Sequence, residues 1–280
     1  MCMTPKILIC YLESNKFTGE NYEKQMQCLR LLEKSFEETI YLQEDNIAEL
    51  FLHADPRQCI CITTSSAVAG QMQGLGIAVM GFETDSEEMM KAQYVVLGLE
   101  EITYGDFVRC YQRWHGLPWD ILQTKRLYVR ELALDDLDAL REMYEKPHMT
   151  DFVEPLFAPQ QERQYQKEYI EKIYGFYGFG MWLVYEKETD KLVGRAGFEY
   201  RDYCKDGEVE MGYLIDPDCW RMGYGTEVCQ ALLMYARDSM SVRRVLCRVS
   251  PENKPSQGLL HKIGFTIREK GEEWIFSYDL

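Results

Sequence analysis

The stretch Gly207-Glu-Val-Glu-Met-Gly-Tyr-Leu-Ile-Asp-Pro-Asp-Cys-Trp-Arg-Met-Gly-Tyr-Gly-Thr-Glu227 decides how this chain is read. It begins as a strand that ends near Pro217. A short loop then carries Gly223 and Gly225, and a helical pattern starts there. The first N–H groups of a helix have no partner inside it, and that end of the helix dipole is positive. Glycines let a phosphate come within hydrogen-bonding distance of those amides. A strand–Gly-x-Gly–helix unit is therefore an anion cradle, to which Arg221 adds a charge-assisted contact. Taken alone, the same pattern also describes a tight turn with close helix packing. It is not a P-loop, because Gly-Lys-Ser/Thr is absent, and it is not a full G-x-G-x-x-G dinucleotide fingerprint.

Around this stretch the pattern is that of a mixed sheet with inserted helices. Strands are expected at 125–132, 181–187, 192–201, 208–215, 244–249, 265–269 and 273–278. Helices are expected at 134–144, 160–174, 223–238 and 255–262. Five segments then carry a resemblance. Leu122-Gln-Thr-Lys-Arg-Leu-Tyr-Val-Arg-Glu-Leu-Ala-Leu-Asp-Asp-Leu-Asp138 resembles the opening strand and helix of GNAT acetyltransferases, in the branch that holds the ribosomal-protein N-terminal acetyltransferases. Lys191-Leu-Val-Gly-Arg-Ala-Gly-Phe198 looks like that family's third strand, and Glu210 to Pro217 its fourth. Trp220 to Thr226 resembles its pyrophosphate loop, and Asn253-Lys-Pro-Ser256 with Gly264-Phe265 its late helix and strand.

The resemblance implies a mixed-sheet α+β GNAT domain over 122–280 and an N-acetyltransferase that uses acetyl-CoA as cosubstrate and needs no metal. It implies that amides of Met222, Gly223, Tyr224, Gly225 and Thr226, with Arg221, bind the pyrophosphate. Backbone groups around Leu214 and Ile215 would pair with the pantetheine arm, and Asn253 would hold the cofactor or a nearby backbone group. The family's loop often starts with Gln or Arg where this chain has Trp220, so the phosphate contacts rest on the amides. An ammonium has no lone pair, so the reaction needs a base. Glu208 and Glu210 are two apart on one strand and share a face. Glu210 matches the family's glutamate, with Glu208 as its alternative. Either carboxylate also reads as an ordinary surface or ion-pair residue. Many relatives place a tyrosine in the late helix where this chain has Leu260. Ser256 is the matching donor to the leaving thiolate, and His261 is a second candidate. Tyr200, Tyr203 and Tyr213 are candidates for the acceptor side. The aromatics between Lys146 and Gly180, among them Phe152, Phe157, Tyr165, Tyr169, Tyr174, Phe176, Tyr177 and Phe179, read mainly as packed core. The rival to an enzyme is a non-catalytic acyl-CoA-binding sensor or scaffold.

Residues 1–118 read differently. Strands at 6–12, 39–43, 58–63, 78–82 and 94–97 alternate with helices at 21–36, 45–53, 67–75 and 103–114. Short apolar strands separated by helices predict a parallel sheet covered on both faces, a Rossmann-like three-layer α/β domain. Cys59 to Phe82 with Ala92 to Ile102 looks like the later half of a haloacid dehalogenase-like domain. Its chemistry is missing: Ile7 to Glu13 offers no D-x-D nucleophile, and Thr63-Thr-Ser-Ser66 stands where an acidic pair is usual. Neither a nucleophile nor a magnesium site can form from these residues. Their hydroxyls suit an N-cap or an anion contact. The domain reads as non-catalytic.

The whole chain has 280 residues, 46% hydrophobic and 28% charged, which suits two globular domains with real cores. A net charge of −15 argues against nucleic-acid binding and favours a cationic acceptor amine. No apolar run is long enough to cross a bilayer, and Met1 to Cys10 lacks the features of a signal peptide, so a cytoplasmic protein is expected. The ten cysteines are scattered without a CxxC or zinc spacing and read as buried free thiols. The sequence leaves the oligomeric state open.

Overall fold

The computed structural model describes residues 4–17, 19–42, 55–83, 90–92 and 94–280. The chain divides into two compact units, Met1–Leu117 and Pro118–Leu280. In the first, strands β1 (Ile7–Tyr11), β2 (Glu38–Tyr41), β3 (Cys59–Thr63), β4 (Ala78–Phe82) and β5 (Tyr94–Val96) form one parallel sheet in the order β2-β1-β3-β4-β5. Helices α1 (Gly19–Leu32), α2 (Ser66–Gly74) and α3 (Tyr104–Trp114) lie between and after them.

Every residue of β3 and β4 is buried, as a sheet covered on both faces requires. Successive side chains go to opposite faces. Leu8, Ile60, Ile62, Met80 and Phe82 pack with Leu29 and Leu32 of α1 and with Phe107, Cys110 and Tyr111 of α3. Ile9, Cys59, Cys61 and Val79 pack with Val68, Ala69 and Met72 of α2. Each fully buried Leu, Ile or Phe is worth about 1.5–3 kcal/mol, so the two apolar faces outweigh any single cap or ion pair. Cys59 and Cys61 are free, buried thiols, and burial pushes the Cys59 thiol up to about 11. The helix expected at 45–53 lies outside the described residues.

Trp114 donates its indole N–H to the Gly76 carbonyl at 3.0 Å, and Leu117 packs on the first unit's core. In the second unit the Trp119 N–H donates to Glu131 Oε2 at 3.1 Å. That unit starts earlier than expected because strand β6 (Asp120–Gln123) pairs with β7 (Leu127–Arg130) across a turn closed by Thr124.

The rest of the second unit comprises α4 (Leu137–Tyr144), α5 (Pro159–Tyr169), a π-helical segment Ile170–Tyr174 and one further turn, α6 (Gly175–Tyr177). There follow β8 (Met181–Glu186), β9 (Leu192–Glu199), β10 (Glu208–Ile215), α7 (Tyr224–Ser239), β11 (Arg244–Val249), α8 (Lys254–Lys262), β12 (Thr266–Lys270) and β13 (Trp274–Asp279). The sheet order is β12-β13-β11-β10-β9-β8-β7-β6, with β10 and β11 parallel and the other neighbours antiparallel. The mixed α/β class read from the sequence is the observed one.

Two expectations change. The single helix at 160–174 carries a π segment. Tyr169 and Tyr174, five residues apart, would sit about 140° apart around an α-helix. The wider π turn brings both to the start of β8, where the Tyr169 hydroxyl accepts from Met181 N–H (2.9 Å) and the Tyr174 hydroxyl donates to Met181 O (2.6 Å). The aromatics of 146–180 are also not mainly core. Tyr169 and Tyr174 are buried, whereas Phe152, Phe157, Tyr165, Phe176 and Tyr177 are exposed.

Candidate functional site

Strands β10 and β11 pair only over Glu208–Glu210 against Arg244–Leu246. Beyond Glu210 the ladder ends, and β10 runs on to Ile215 with its β11-facing edge unpaired. The phase of the opposite edge follows from the Asp216 N–H, which bonds to Val193 O at 2.9 Å. In an antiparallel ladder alternate residues face the partner, so Gly212 and Leu214 turn their backbone groups to β9, and Tyr213 and Ile215 turn theirs to the open edge. The expected pantetheine contacts, backbone groups around Leu214 and Ile215, thus divide by edge: Ile215 presents its groups to the open edge and Leu214 to β9. The Ile215 carbonyl already accepts the Trp220 indole N–H at 2.7 Å, which folds this exposed ring back over the strand end.

The loop after β10 is braced from three sides. Asp216, almost fully buried, caps the Asp218 N–H (3.0 Å) and pairs with Lys146 (2.7 Å) and Lys191 (3.5 Å). Arg126 donates to Met222 O (2.8 Å) and to Glu227 of α7 (2.7 Å), and Glu227 also accepts from Thr124 Oγ1 at 2.6 Å. These braces escaped the sequence reading because their partners are about 70 to 100 residues apart in the chain. Gly223 is left-handed at φ 84°, a region that an L side chain enters only with strain. A Cβ on Gly225 would meet Leu259 Cδ1 of α8 at 2.9 Å, so that glycine lets the two helices approach. The first bond of the α7 ladder runs from Glu227 N–H to Gly223 O (3.0 Å). The amides of Gly223, Tyr224, Gly225 and Thr226 are thus the orphans of this helix start. The Met222 N–H, also in the expected set, bonds to Cys219 O (3.4 Å). Arg221 is exposed beside them, with φ 62°. A groove of about 640 Å³ opens beside Gly223 and Thr226.

Glu210 lies near the point where the strands part. It accepts from the Tyr203 hydroxyl, and Arg201 Nε stands 3.6 Å away. Burial, followed by the hydrogen bond to Glu210 and then its charge, raises the Tyr203 phenol well above its ordinary value, so it stays a proton donor to Glu210. Glu208 is occupied elsewhere. It is buried and bonded to Arg244 (3.0 Å), Arg268 (3.0 Å) and the Lys205 N–H (3.1 Å). Burial works to raise its pKa, but these donors win and hold it below the usual carboxylate range. Its geometry is that of a structural ion pair.

On the opposite face of β10, Tyr213 reaches α8. Its hydroxyl and Ser256 Oγ are 2.7 Å apart. Burial raises this phenol well above its ordinary value. Asn253 caps α8 by accepting the Ser256 N–H at 3.1 Å, so it holds backbone, one of the two roles foreseen for it. Leu260 is fully buried, and His261 is exposed with its ring edge-on to Phe276. Among the described residues no group of His, Cys, Asp or Glu has the arrangement to hold a metal, and no helix is long and apolar enough to cross a membrane.

Residues 126–266, half of the chain, match the family model of the acetyltransferase (GNAT) domain. The uncharacterized N-acetyltransferase p20 of Bacillus licheniformis is 30% identical over 149 residues, covering 52% of this chain and 82% of that protein. The uncharacterized N-acetyltransferase YjdG of Bacillus subtilis is 30% identical over 172 residues, covering 56% and 97%. Among solved structures, the ribosomal L7/L12 alpha-N-protein acetyltransferase RimL in complex with coenzyme A superposes with a TM-score of 0.50 at 15% identity, over 58% of this chain and 98% of that one. This last likeness concerns the fold alone.

Proposed function

Because this chain belongs to the GNAT acetyltransferase family, we propose that its second unit moves an acetyl group from acetyl-CoA to a primary amine of a small molecule or a protein N-terminus. The observation that carries this reading is the wedge between β10 and β11, which leads to the unpaired amides of Gly223 to Thr226. Those amides, at the positive end of α7, suit a pyrophosphate, with Arg221 beside them. Backbone groups of Tyr213 and Ile215 suit the amides of an extended arm lying against the open edge of β10. Trp220 would then share or yield the Ile215 carbonyl.

In this reading Glu210 takes one proton from the acceptor ammonium. The freed nitrogen lone pair attacks the thioester carbon, the C–N bond forms and the C–S bond breaks. The second amine proton ends on sulfur, and the Ser256 hydroxyl donates to the departing thiolate while that transfer completes. Tyr203 and Arg201 hold the Glu210 carboxylate in place, and Tyr213 orients Ser256. Glu208 remains the alternative base by position only, and its two arginine partners speak against it.

The first unit in this reading is a non-catalytic Rossmann-like domain, of degenerate haloacid dehalogenase-like type, in a cytoplasmic protein. Its hydroxyl turn is closed on itself: Thr64 Oγ1 accepts from Glu13 N–H (2.9 Å), Thr63 Oγ1 from Ser65 N–H (3.0 Å) and Ser65 Oγ from Val68 N–H (3.5 Å).

The test is calorimetric titration with acetyl-CoA, paired with thiol release on a panel of amines. Glu210→Gln is expected to lower kcat by about 10²–10⁴ with acetyl-CoA affinity unchanged. Unchanged turnover and pH profile in that variant would remove Glu210 as base. A folded wild type that does not bind acetyl-CoA would remove the whole reading.

A further inference from the structure

Aromatics from α5 to the start of β8 and just after β9 gather in one place: exposed Tyr165, Tyr177 and Tyr200 with half-buried Phe179 and buried Tyr169. Tyr165, Tyr169, Tyr177, Phe179 and Tyr200 line one hollow of about 370 Å³. Tyr177, Phe179 and Tyr200 stand in mutual contact, with ring centroids 5.4 to 5.7 Å apart, and Tyr165 and Tyr169 are 6.1 Å apart. Three of these rings remain open to solvent: Tyr165 at 46%, Tyr177 at 42% and Tyr200 at 49%. Apolar rings left exposed together around a concavity of this size mark a small-molecule site. The hollow also borders the π segment, a rare distortion that recurs at functional sites.

The hollow adjoins the proposed base. Glu199, in its lining, is the register partner of Glu210 on the neighbouring strand. Arg201, also in the lining, pairs with Glu199 and stands 3.6 Å from Glu210. Arg201 thus links the lining of the hollow to the carboxylate that would take the acceptor's proton.

Charge narrows the occupant. The two lining carboxylates already have cations: Glu168 is held by Lys172 (2.8 Å) and by Gln164 (2.9 Å), and Glu199 by Arg201 with the Tyr169 hydroxyl at 3.2 Å. A polycation such as a polyamine or an aminoglycoside would bring several ammonium groups to a hollow with no unmatched carboxylate to receive them, which is costly once water is excluded. A single ammonium meets that cost once, because Glu210 already has Arg201 and the Tyr203 hydroxyl, and aromatic faces offset it when the rest of the molecule is flat and apolar.

We infer that the acceptor is a monocationic primary amine carried on an aromatic body, bound with its ring in the Tyr165–Tyr177–Tyr200 hollow and its amine toward Glu210. The inference rests on the acetyl-transfer reading above. The test measures kcat/KM at saturating acetyl-CoA for 2-phenylethylamine, spermidine and a hexapeptide with a free N-terminal alanine. The aromatic amine is expected to exceed both others by about tenfold or more. Replacing both exposed rings, Tyr177→Ala with Tyr200→Ala, is expected to raise its KM about tenfold with acetyl-CoA affinity unchanged. Tyr177→Phe with Tyr200→Phe, which keeps the rings, should restore the wild-type KM. Preference for spermidine or the peptide, or an aromatic preference indifferent to the alanine pair, overturns the inference and leaves the acetyltransferase reading standing. If acetyl-CoA binds but no amine turns over, titration of the CoA complex with 2-phenylethylamine decides, and absence of saturable binding overturns it. Failure to bind acetyl-CoA at all removes both.

Discussion

At the head of α2 the chain leaves a buried parallel strand through Thr63-Thr64-Ser65-Ser66, and at the head of α7 it leaves β10 through Arg221-Met222-Gly223-Tyr224. Both are strand–turn–helix junctions with a positive helix end and a set of orphan amides. In the first, hydroxyls fill the need: Ser65 takes the Val68 N–H and Thr63 takes the Ser65 N–H. In the second, a left-handed glycine sits at the cap and brings no side chain, while Arg126, Glu227 and Asp216 brace the loop without accepting from the amides of Gly223 to Thr226. The same local architecture is closed by its own residues in one unit and left open in the other. An anion site needs the second arrangement, because an amide already bonded to a serine has little to gain from a phosphate.

The largest effect is expected where the open junction is forced shut. Gly223→Trp places a large side chain at φ 84°, which alone costs about 1–2 kcal/mol, and lays an indole across the amides. Affinity for acetyl-CoA, measured by calorimetry, should fall at least about 100-fold, with the fold retained by circular dichroism. Saturable binding at wild-type strength would break the comparison, since it would place the ligand somewhere other than this helix start.

How far the sequence discloses this contrast depends on the range of the contacts. The strand, the two glycines and the helix of the second junction are local, and 208–215 and 244–249 were legible to the residue because alternation and turn residues act over a few positions. The closure of the first junction was half legible. Ser65 as an N-cap is a local matter, but the Glu13 N–H reaching Thr64 spans 51 residues. Leu214 and Ile215 could not be told apart without the ladder phase that Asp216 and Val193 establish. The aromatics of 146–180 looked like core because composition does not encode which face a distorted helix presents. A single π turn redirects Tyr174 inward and leaves Tyr177 exposed. Strand β6 escaped because Asp120–Gln123 is four residues long and follows a Gly-Leu-Pro turn.

A smaller effect sharpens the comparison at a third helix start. The N-terminus of α8 is closed by Asn253, so what it offers the wedge is a hydroxyl and not an amide. The Tyr213 and Ser256 hydroxyls are 2.7 Å apart, and in the proposed reaction Tyr213, kept protonated by burial, would donate to Ser256 Oγ and leave the serine proton for the departing sulfur. Tyr213→Phe and Ser256→Ala should each lower kcat by about tenfold, and the double variant by little more than either alone, since the two act as one unit. Acetyl-CoA affinity should stay within about twofold. Fully multiplicative losses in kcat would show two independent roles and sever Tyr213 from the hydroxyl.

The smallest effect is expected at the closed junction, and it is the most discriminating for the first unit. Ser65→Ala removes one acceptor from the start of α2, and the long 3.5 Å bond it loses points to the low end of the usual range for a cap, about 0.5–1 kcal/mol. If the turn is only a cap, thermal or denaturant unfolding registers that loss while acetyl-CoA affinity and turnover are unmoved. If acetyl transfer changes while stability does not, the hydroxyl turn is engaged in ligand handling, and the two junctions would differ in which anion they hold and not in whether they hold one. A stability change alone keeps the division between a helix start closed by its own hydroxyls, at α2, and one left without a side-chain cap, at α7.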